Sequence, residues 1–278
     1  MFDAVKLDDV RLAMLGVGNM GEAVLAGALR AGVPPRNVAV ADATTGRAAA
    51  VAAQYQVSAA PDNLAAVSEA GIVVVAVKPK DVAALLAEIA PALAAETVVV
   101  SVAAGLTTAF LQARLPAGQP VVKVMPNTPA AIGAGMSALS ASASASATDV
   151  ALVRAVFAGT GDVVELPEAY QGAAGAVSGS GPAYVFYIVD ALAEAAVAIG
   201  LSRELASRLA VQTVLGSARL LAETGEHPVL ARERVSSPGG TTIQALRVLD
   251  EFGVRAAFLN AVEAARDRTD EITKELET

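Results

Sequence analysis

The chain has 278 residues, no cysteine, one histidine and a formal net charge of -8. That length leaves room for one large or two modest domains, and the absence of cysteine excludes disulfides, thiolate metal sites and a cysteine nucleophile. With no run of Lys or Arg, the acidic balance argues against nucleic acid or an anionic membrane as partner, so any phosphate bound here must rely on backbone N–H groups.

In chain order, Met1 to Val10 alternates acidic and apolar residues without a basic segment followed by an apolar one. No secretory signal is expected, and the cytoplasm is the expected compartment. From Arg11 to about Leu166, short Val/Ile-rich runs alternate with Ala/Leu-rich helical segments, the pattern of an α/β fold with a parallel sheet and crossover helices. The candidate strands are Leu12 to Leu15, Val38 to Ala41, Ile72 to Val77, Val98 to Val102, Val121 to Met125, Met136 to Leu139 and Val163 to Leu166. Most lack polar alternation, as strands covered on both faces should.

The first strand runs into Gly16-Val17-Gly18-Asn19-Met20-Gly21 and then a helix over Asn19 to Ala31, the context that a dinucleotide fingerprint requires. Gly16 permits the tight turn, Gly18 lets the backbone approach a pyrophosphate, and Gly21 lets helix and strand pack closely. The pyrophosphate then sits on the helix N-terminus, where N–H groups and the helix dipole attract it. Asp42, at the end of the second strand, is placed to accept hydrogen bonds from an adenosine ribose and to repel a 2'-phosphate, which favours NAD. Thr44, Thr45 and Arg47 lie just beyond and would hold a phosphate if Asp42 turned to solvent, so NADH and NADPH both stay open.

The apolar runs at Ile72 and Val98 are far shorter than the roughly 20 residues that span a bilayer. Pro182 to Leu201 is long enough, but Asp190 and Glu194 interrupt it at helical spacing, and no membrane span is expected. The alternating Ser/Ala stretch Ser140 to Thr148 reads as a loop or frayed strand end leading to a helix from Asp149.

Beyond Pro167 strand signals stop and helical periodicity takes over. Val185, Val189, Leu192 and Ala196 line one helical stripe, and Gly200 ends that helix. Ser202 is a candidate cap for the next, which runs to about Thr224 and stops at Gly225. A third helix begins after Pro238-Gly239-Gly240, a fourth carries Phe258 and Val262, and His227-Pro228 reads as loop. The predicted division is residues 1–166 as a dinucleotide-binding domain and 167–278 as an all-helical domain. Its helices are rich in Ala on more than one face, and a small unit of that kind hides its second apolar face against a partner, which predicts an obligate homodimer.

Four further segments accompany the glycine turn: Val77-Lys78-Pro79, Met125-Pro126-Asn127-Thr128-Pro129, Ser178-Gly179-Ser180-Gly181-Pro182-Ala183-Tyr184, and Ser236-Ser237-Pro238-Gly239-Gly240-Thr241-Thr242 running on to Asp250. In order and spacing they resemble the signatures of the pyrroline-5-carboxylate reductases, over nearly the whole chain. The resemblance implies an N-terminal Rossmann domain and a C-terminal helical domain that interlocks with its twin in a dimer. In some members five dimers form a decamer. It also implies reduction of 1-pyrroline-5-carboxylate to L-proline with NADH or NADPH, the last step of proline biosynthesis.

The residue chemistry suits that reaction. The substrate is a cyclic imine bearing a carboxylate, and once protonated its C=N carbon accepts hydride without a strong enzymic acid. Related β-hydroxyacid dehydrogenases use a lysine in the helical domain to move an alcohol proton, and from Val124 to Thr273 this chain has none. Ser237 to Thr242 offers the carboxylate a glycine-rich loop running into a helix, with N–H groups from Gly240 to Thr242 at the positive end of the dipole. By resemblance, Ser237, Gly240, Thr241 and Thr242 line the substrate site, with the Thr242 hydroxyl near the ring nitrogen. The resemblance also sets Ala76, Val77, Lys78 and Pro79 alongside the cofactor and Asn63 on its adenosine side, with Asn127 and Ala103-Ala104-Gly105 at the nicotinamide end. Many relatives have an arginine or serine-rich phosphate loop where this chain has Ala41-Asp42-Ala43-Thr44. Two rival readings are another imine or hydroxy-acid dehydrogenase of the same superfamily and a non-catalytic dinucleotide sensor.

Overall fold

The computed structural model describes residues 5 to 277, so the first residues of the acidic and apolar opening segment lie outside it. By density of contacts the chain divides into one compact unit that runs through Ser180 and takes in the residues from Ala265 on, and a second formed by Gly181–Ala264.

The first unit alternates strands and helices as β1 (Leu12–Leu15), α1 (Asn19–Ala31), β2 (Val38–Ala41), α2 (Arg47–Tyr55), β3 (Ser58–Ala59), α3 (Asn63–Val67), β4 (Ile72–Val75), α4 (Pro79–Ile89), β5 (Val98–Ser101), α5 (Thr108–Gln112), β6 (Val121–Met125), β7 (Gly135–Ala141), α6 (Ala147–Phe157), β8 (Gly161–Glu165) and α7 (Gln171–Ala174). The strands form one sheet in the order β3-β2-β1-β4-β5-β6-β7-β8. Leu12 lies opposite Val38 on one side and Ile72 on the other, in parallel register. Side chains alternate between two cores: Met14, Val40, Val74 and Val100 face α1, α2 and α6, where Leu25, Val51 and Phe157 are buried. Ala13, Leu15, Val73, Val75 and Val99 face α3, α4 and α5, with Val67, Leu86 and Leu111. Helices on both faces explain why these strands read as unbroken apolar runs.

The expected parallel pairing holds from β3 across to β6, and the sheet then adds one antiparallel step. β7 runs antiparallel to β6, with Lys123 opposite Ser140 and Met125 opposite Ala138. Only a short 3-10 segment, Thr128–Ile132, joins the two strands, whereas a parallel return needs a crossover of a dozen or more residues. β7 also reaches Ala141, so part of the Ser/Ala stretch is strand: Ser140 is buried and its hydroxyl donates to Leu166 O at 2.8 Å. β3 is an addition, a two-residue exposed edge too short to leave a pattern.

The second unit holds α8 (Gly181–Ala198), α9 (Arg203–Thr224), α10 (Pro228–Arg234), α11 (Thr241–Glu251) and the first part of α12 (Val254–Glu277). Ser202 caps α9 by accepting Leu205 N, and Gly225 closes it in the left-handed conformation. His227 is not in open loop: its side chain accepts Val229 N and caps α10. α8 and α9 pack through a small core of Ala193, Ala206 and Ala210. Much of their remaining apolar surface is exposed, including Phe186 at 64%, Leu209 at 48% and Leu215 at 58%. The continuous run Glu168–Ala198 is long and apolar enough to cross a membrane by length and composition alone.

Candidate functional site

Between β1 and β4 the chain changes the direction in which strands are added, and in open α/β sheets ligands bind at the carboxyl ends of strands at such a switch. There Gly16 N donates to Ala41 O at 2.8 Å and Ala76 N donates to Leu15 O at 2.8 Å, which stitches the ends of β1, β2 and β4 together. Gly16 has φ +87°, and a Cβ on it would meet Ala76 backbone at 3.0 Å. A Cβ on Gly21 would lie 2.0 Å from Gly16 O, so only glycine lets α1 start this close to the turn. Nothing stands within 4 Å of a Cβ position on Gly18. Gly18 occupies the N-cap of α1 without any side-chain cap bond, which leaves the amides of Asn19, Met20 and Gly21 for a ligand. A turn closed on one side by necessity and open on the other fits a pyrophosphate.

Asp42, the residue expected to meet a ribose, is tied into the turn itself. Its Oδ2 accepts Val17 N and its Oδ1 accepts Thr44 N, both at 2.8 Å. Burial by itself raises the carboxyl pKa, but the amides of Thr44 and Val17 and the Arg47 charge outweigh it and hold the group below the usual range. Each oxygen retains acceptor capacity for a ribose hydroxyl. Arg47 donates through Nε to Val17 O at 2.8 Å and forms an ion pair with Glu22. Glu22 also accepts Tyr55 Oη at 3.1 Å and Gln54 Nε2 at 3.2 Å. The Glu22–Arg47 pair carries no motif, and only the fold brings these residues under the turn.

Ala76 and Val77 flank Gly16, while Lys78 is exposed at the N-cap of α4 and Pro79 opens that helix. Asn63 begins α3 and donates to both Glu88 carboxylate oxygens at 3.2 Å, whereas Asp62 supplies the cap through Ala65 N. Asn127 is buried: its Nδ2 donates to Ser178 O and its Oδ1 accepts Met136 N, both at 2.9 Å. That bond ties the Met125–Pro129 motif to the serine- and glycine-rich one. Ala104 lies in the loop after β5, where Val102 N donates to Val75 O at 3.1 Å beside the Ala76 segment.

In the second unit Gly239 has φ +70°, Gly240 N donates to Ser237 O at 3.0 Å and Gly240 is the N-cap of α11. A Cβ on Gly240 would sit 2.3 Å from Ser237 Oγ. Thr241 and Thr242 form the first turn, with Ser237 and Thr241 exposed and Thr242 half-buried. No side chain caps α11, so its leading amides offer a second anion-binding helix start. Among the described residues no group of acidic and histidine side chains is suited to hold a metal ion.

Comparison with known proteins covers both halves. A family model described as pyrroline-5-carboxylate reductase dimerisation matches residues 168–272, and one described as NADP oxidoreductase, coenzyme F420-dependent, matches residues 11–105. The pyrroline-5-carboxylate reductase of Corynebacterium melassecola is 40% identical over 266 residues, covering 95% of this chain and 98% of its own. A solved pyrroline-5-carboxylate reductase from Coxiella burnetii superposes with a TM-score of 0.91 at 34% identity, over 96% of this chain and 99% of that one. The Plasmodium falciparum pyrroline carboxylate reductase, solved with NADP bound, gives a TM-score of 0.84 at 28% identity, over 96% and 100%.

Proposed function

Because the chain belongs to the pyrroline-5-carboxylate reductase family, we infer that it reduces 1-pyrroline-5-carboxylate to L-proline with NADH or NADPH, the last step of proline biosynthesis. The observation that carries this is kinship along 95% of the chain, which includes both the glycine turn and the Ser237–Thr242 loop. The other dehydrogenase and sensor readings lose their ground to it.

The residue roles rest on local chemistry at the two helix starts and on kinship for the positions around them. The amides of Asn19, Met20 and Gly21 hold the pyrophosphate, with Gly16, Val17 and Gly18 forming the turn. Asp42 receives the adenosine ribose, Asn63 lies on the adenosine side, and Ala76 to Pro79, Ala104 and Asn127 border the path toward the nicotinamide. The bound dinucleotide supplies the hydride. Gly240, Thr241 and the Ser237 turn bind the substrate carboxylate through backbone N–H groups, so no basic side chain is needed. Thr242 holds its hydroxyl at the ring nitrogen, orienting the iminium and then bonding the product amine. Residues 1–166 serve the cofactor and 167–278 the substrate and a twofold partner. The exposed apolar surfaces of α8 and α9 support a homodimer, with a decamer as a further level of assembly, and kinship with biosynthetic enzymes supports a cytoplasmic location.

An ionised Asp42 beside an arginine already committed to Glu22 favours NADH over NADPH, since a 2'-phosphate would meet a carboxylate and no uncommitted Arg47. Following absorbance at 340 nm with pyrroline-5-carboxylate and each reduced cofactor tests both statements. Turnover with at least one cofactor is expected, faster with NADH at equal concentration. No oxidation with either would sink the assignment.

A further inference from the structure

A lysine sits where the strand pattern has no use for one. Lys123 lies in the middle of β6, 7% exposed, among Val121, Val122 and Val124. Two carboxylates from distant parts of the chain converge on the same place. Glu168 accepts Thr108 N and Thr108 Oγ1, both at 2.6 Å. Glu277, in the last turn of α12, accepts Thr107 N at 3.0 Å and Thr107 Oγ1 at 2.5 Å. Burial holds the Lys123 ammonium below its ordinary pKa, and the charges of Glu168 and Glu277 offset that only in part. Lys123, Glu168, Thr107 and Ala104 also line one cavity of about 430 Å³.

Only Leu106 separates the two threonines from the loop Ala103-Ala104-Gly105. Thr107 caps α5 through Phe110 N, so the carboxylates grip the residues at which that loop turns into helix. The last two turns of α12 also lie against the loop itself: a Cβ on Gly105 would lie 2.9 Å from Ile272 Cγ2 and 3.1 Å from Leu276 Cδ1. Leu276 also packs against the core on that face of the sheet. Segments 168 and 277 thus reach back to the sheet's ligand-binding edge, and neither carries a cofactor motif.

We propose that Glu168 and Glu277, with Lys123 as their shared counter-charge, form a clamp that holds the Ala103–Gly105 loop in place for the nicotinamide end of the dinucleotide. They are positioning residues, acting through the loop on a cofactor that the family assignment supplies. Lys123 sets a buried positive charge in the cavity that Glu168 lines, and a carboxylate accepting from an amide and a hydroxyl holds them more tightly than a neutral acceptor would. Removing the lysine leaves two like charges close to each other, and the grip on Thr107 and Thr108 loosens. Because the pyrophosphate is held separately by the glycine turn, the loss falls on one half of the ligand.

The test compares the full-length protein and its Lys123→Met, Lys123→Arg and Glu277→Gln variants by calorimetric titration with NADH and with ADP-ribose, which lacks the nicotinamide. Lys123→Met and Glu277→Gln should weaken NADH by about fivefold or more while ADP-ribose stays within about twofold, and Lys123→Arg should restore most of the difference. Equal weakening of both ligands, or of neither, overturns the clamp. If Lys123→Met does not fold, Glu277→Gln at the exposed end of α12 carries the comparison. The binding ratio needs no turnover, so a wild type that fails to reduce the pyrroline counts against the family activity and leaves the clamp to be decided by the ratio.

Discussion

At the scale of single residues, Asp42 shows what a motif position does inside the fold. From its place at the end of β2 it reads in the sequence as a ribose acceptor, and in the structure its two oxygens brace Val17 N within the glycine turn and Thr44 N just beyond β2. Its folded pKa is depressed, so its contribution to stability is present above the unfolded value of about 3.9 and is lost as pH falls through the folded value. Asp42→Asn lacks that contribution at every pH. Thermal unfolding followed from pH 6 to pH 3 should therefore show the wild type losing its advantage over Asp42→Asn toward the acid end, and parallel curves would count against the brace. Gly16, Gly18 and Gly21 were legible in the sequence because their spacing encodes backbone geometry. The Glu22–Arg47 ion pair was not, since a pair between residues 25 apart is made by folding and leaves no local pattern, and from the sequence Arg47 reads only as a candidate phosphate holder. Lys123 did leave a signal, a charge inside an apolar run, although nothing local pointed to Glu168, which lines the same cavity.

Among the elements, the helices were the most readable. α1 begins and ends where the glycine turn and Gly32 require, and α9 lies between the Ser202 cap and Gly225. The helix α6 is a sharper case. Ser146 and Asp149 form a capping box, with Ser146 Oγ accepting Asp149 N at 3.2 Å and Asp149 Oδ2 accepting Ser146 N at 2.8 Å. Ser146→Ala should cost about 1 kcal/mol, visible as a lower urea midpoint at unchanged slope, with cofactor affinity unaltered because the Ser146 end of α6 follows antiparallel β7 to the sheet edge opposite the glycine turn. An unchanged midpoint would show that the box contributes nothing. Strands were less readable at their ends. β7 extends into a Ser/Ala stretch whose side chains offer little apolar signal, and it pairs antiparallel because the link from β6 is too short to cross over. α10 was missed because seven residues give barely two turns of periodicity.

For the whole molecule, the exposed apolar faces of α8 and α9 are the feature to be explained. Phe186, Leu209 and Leu215 are far more open than core residues of their size, and leaving such area in water is unfavourable by about 25 cal/mol per Å². A second copy covering these helices removes that cost. Sedimentation at micromolar concentration should show a dimer, and Phe186→Asp should shift the population toward monomer. A well-folded wild-type monomer would remove the dimer from this account. What the sequence by itself determined was the α/β class, the glycine turn and the order of motifs, because strand burial, helix punctuation and tight turns are imposed by residues close together in the chain. What only the tertiary structure decided was the direction of β7, the bracing of Val17 and Thr44 by Asp42, and the return of Glu168 and the α12 terminus to the helix start after β5. Those depend on which distant segments meet when two cores close on one sheet, and separation along the chain carries no trace of that.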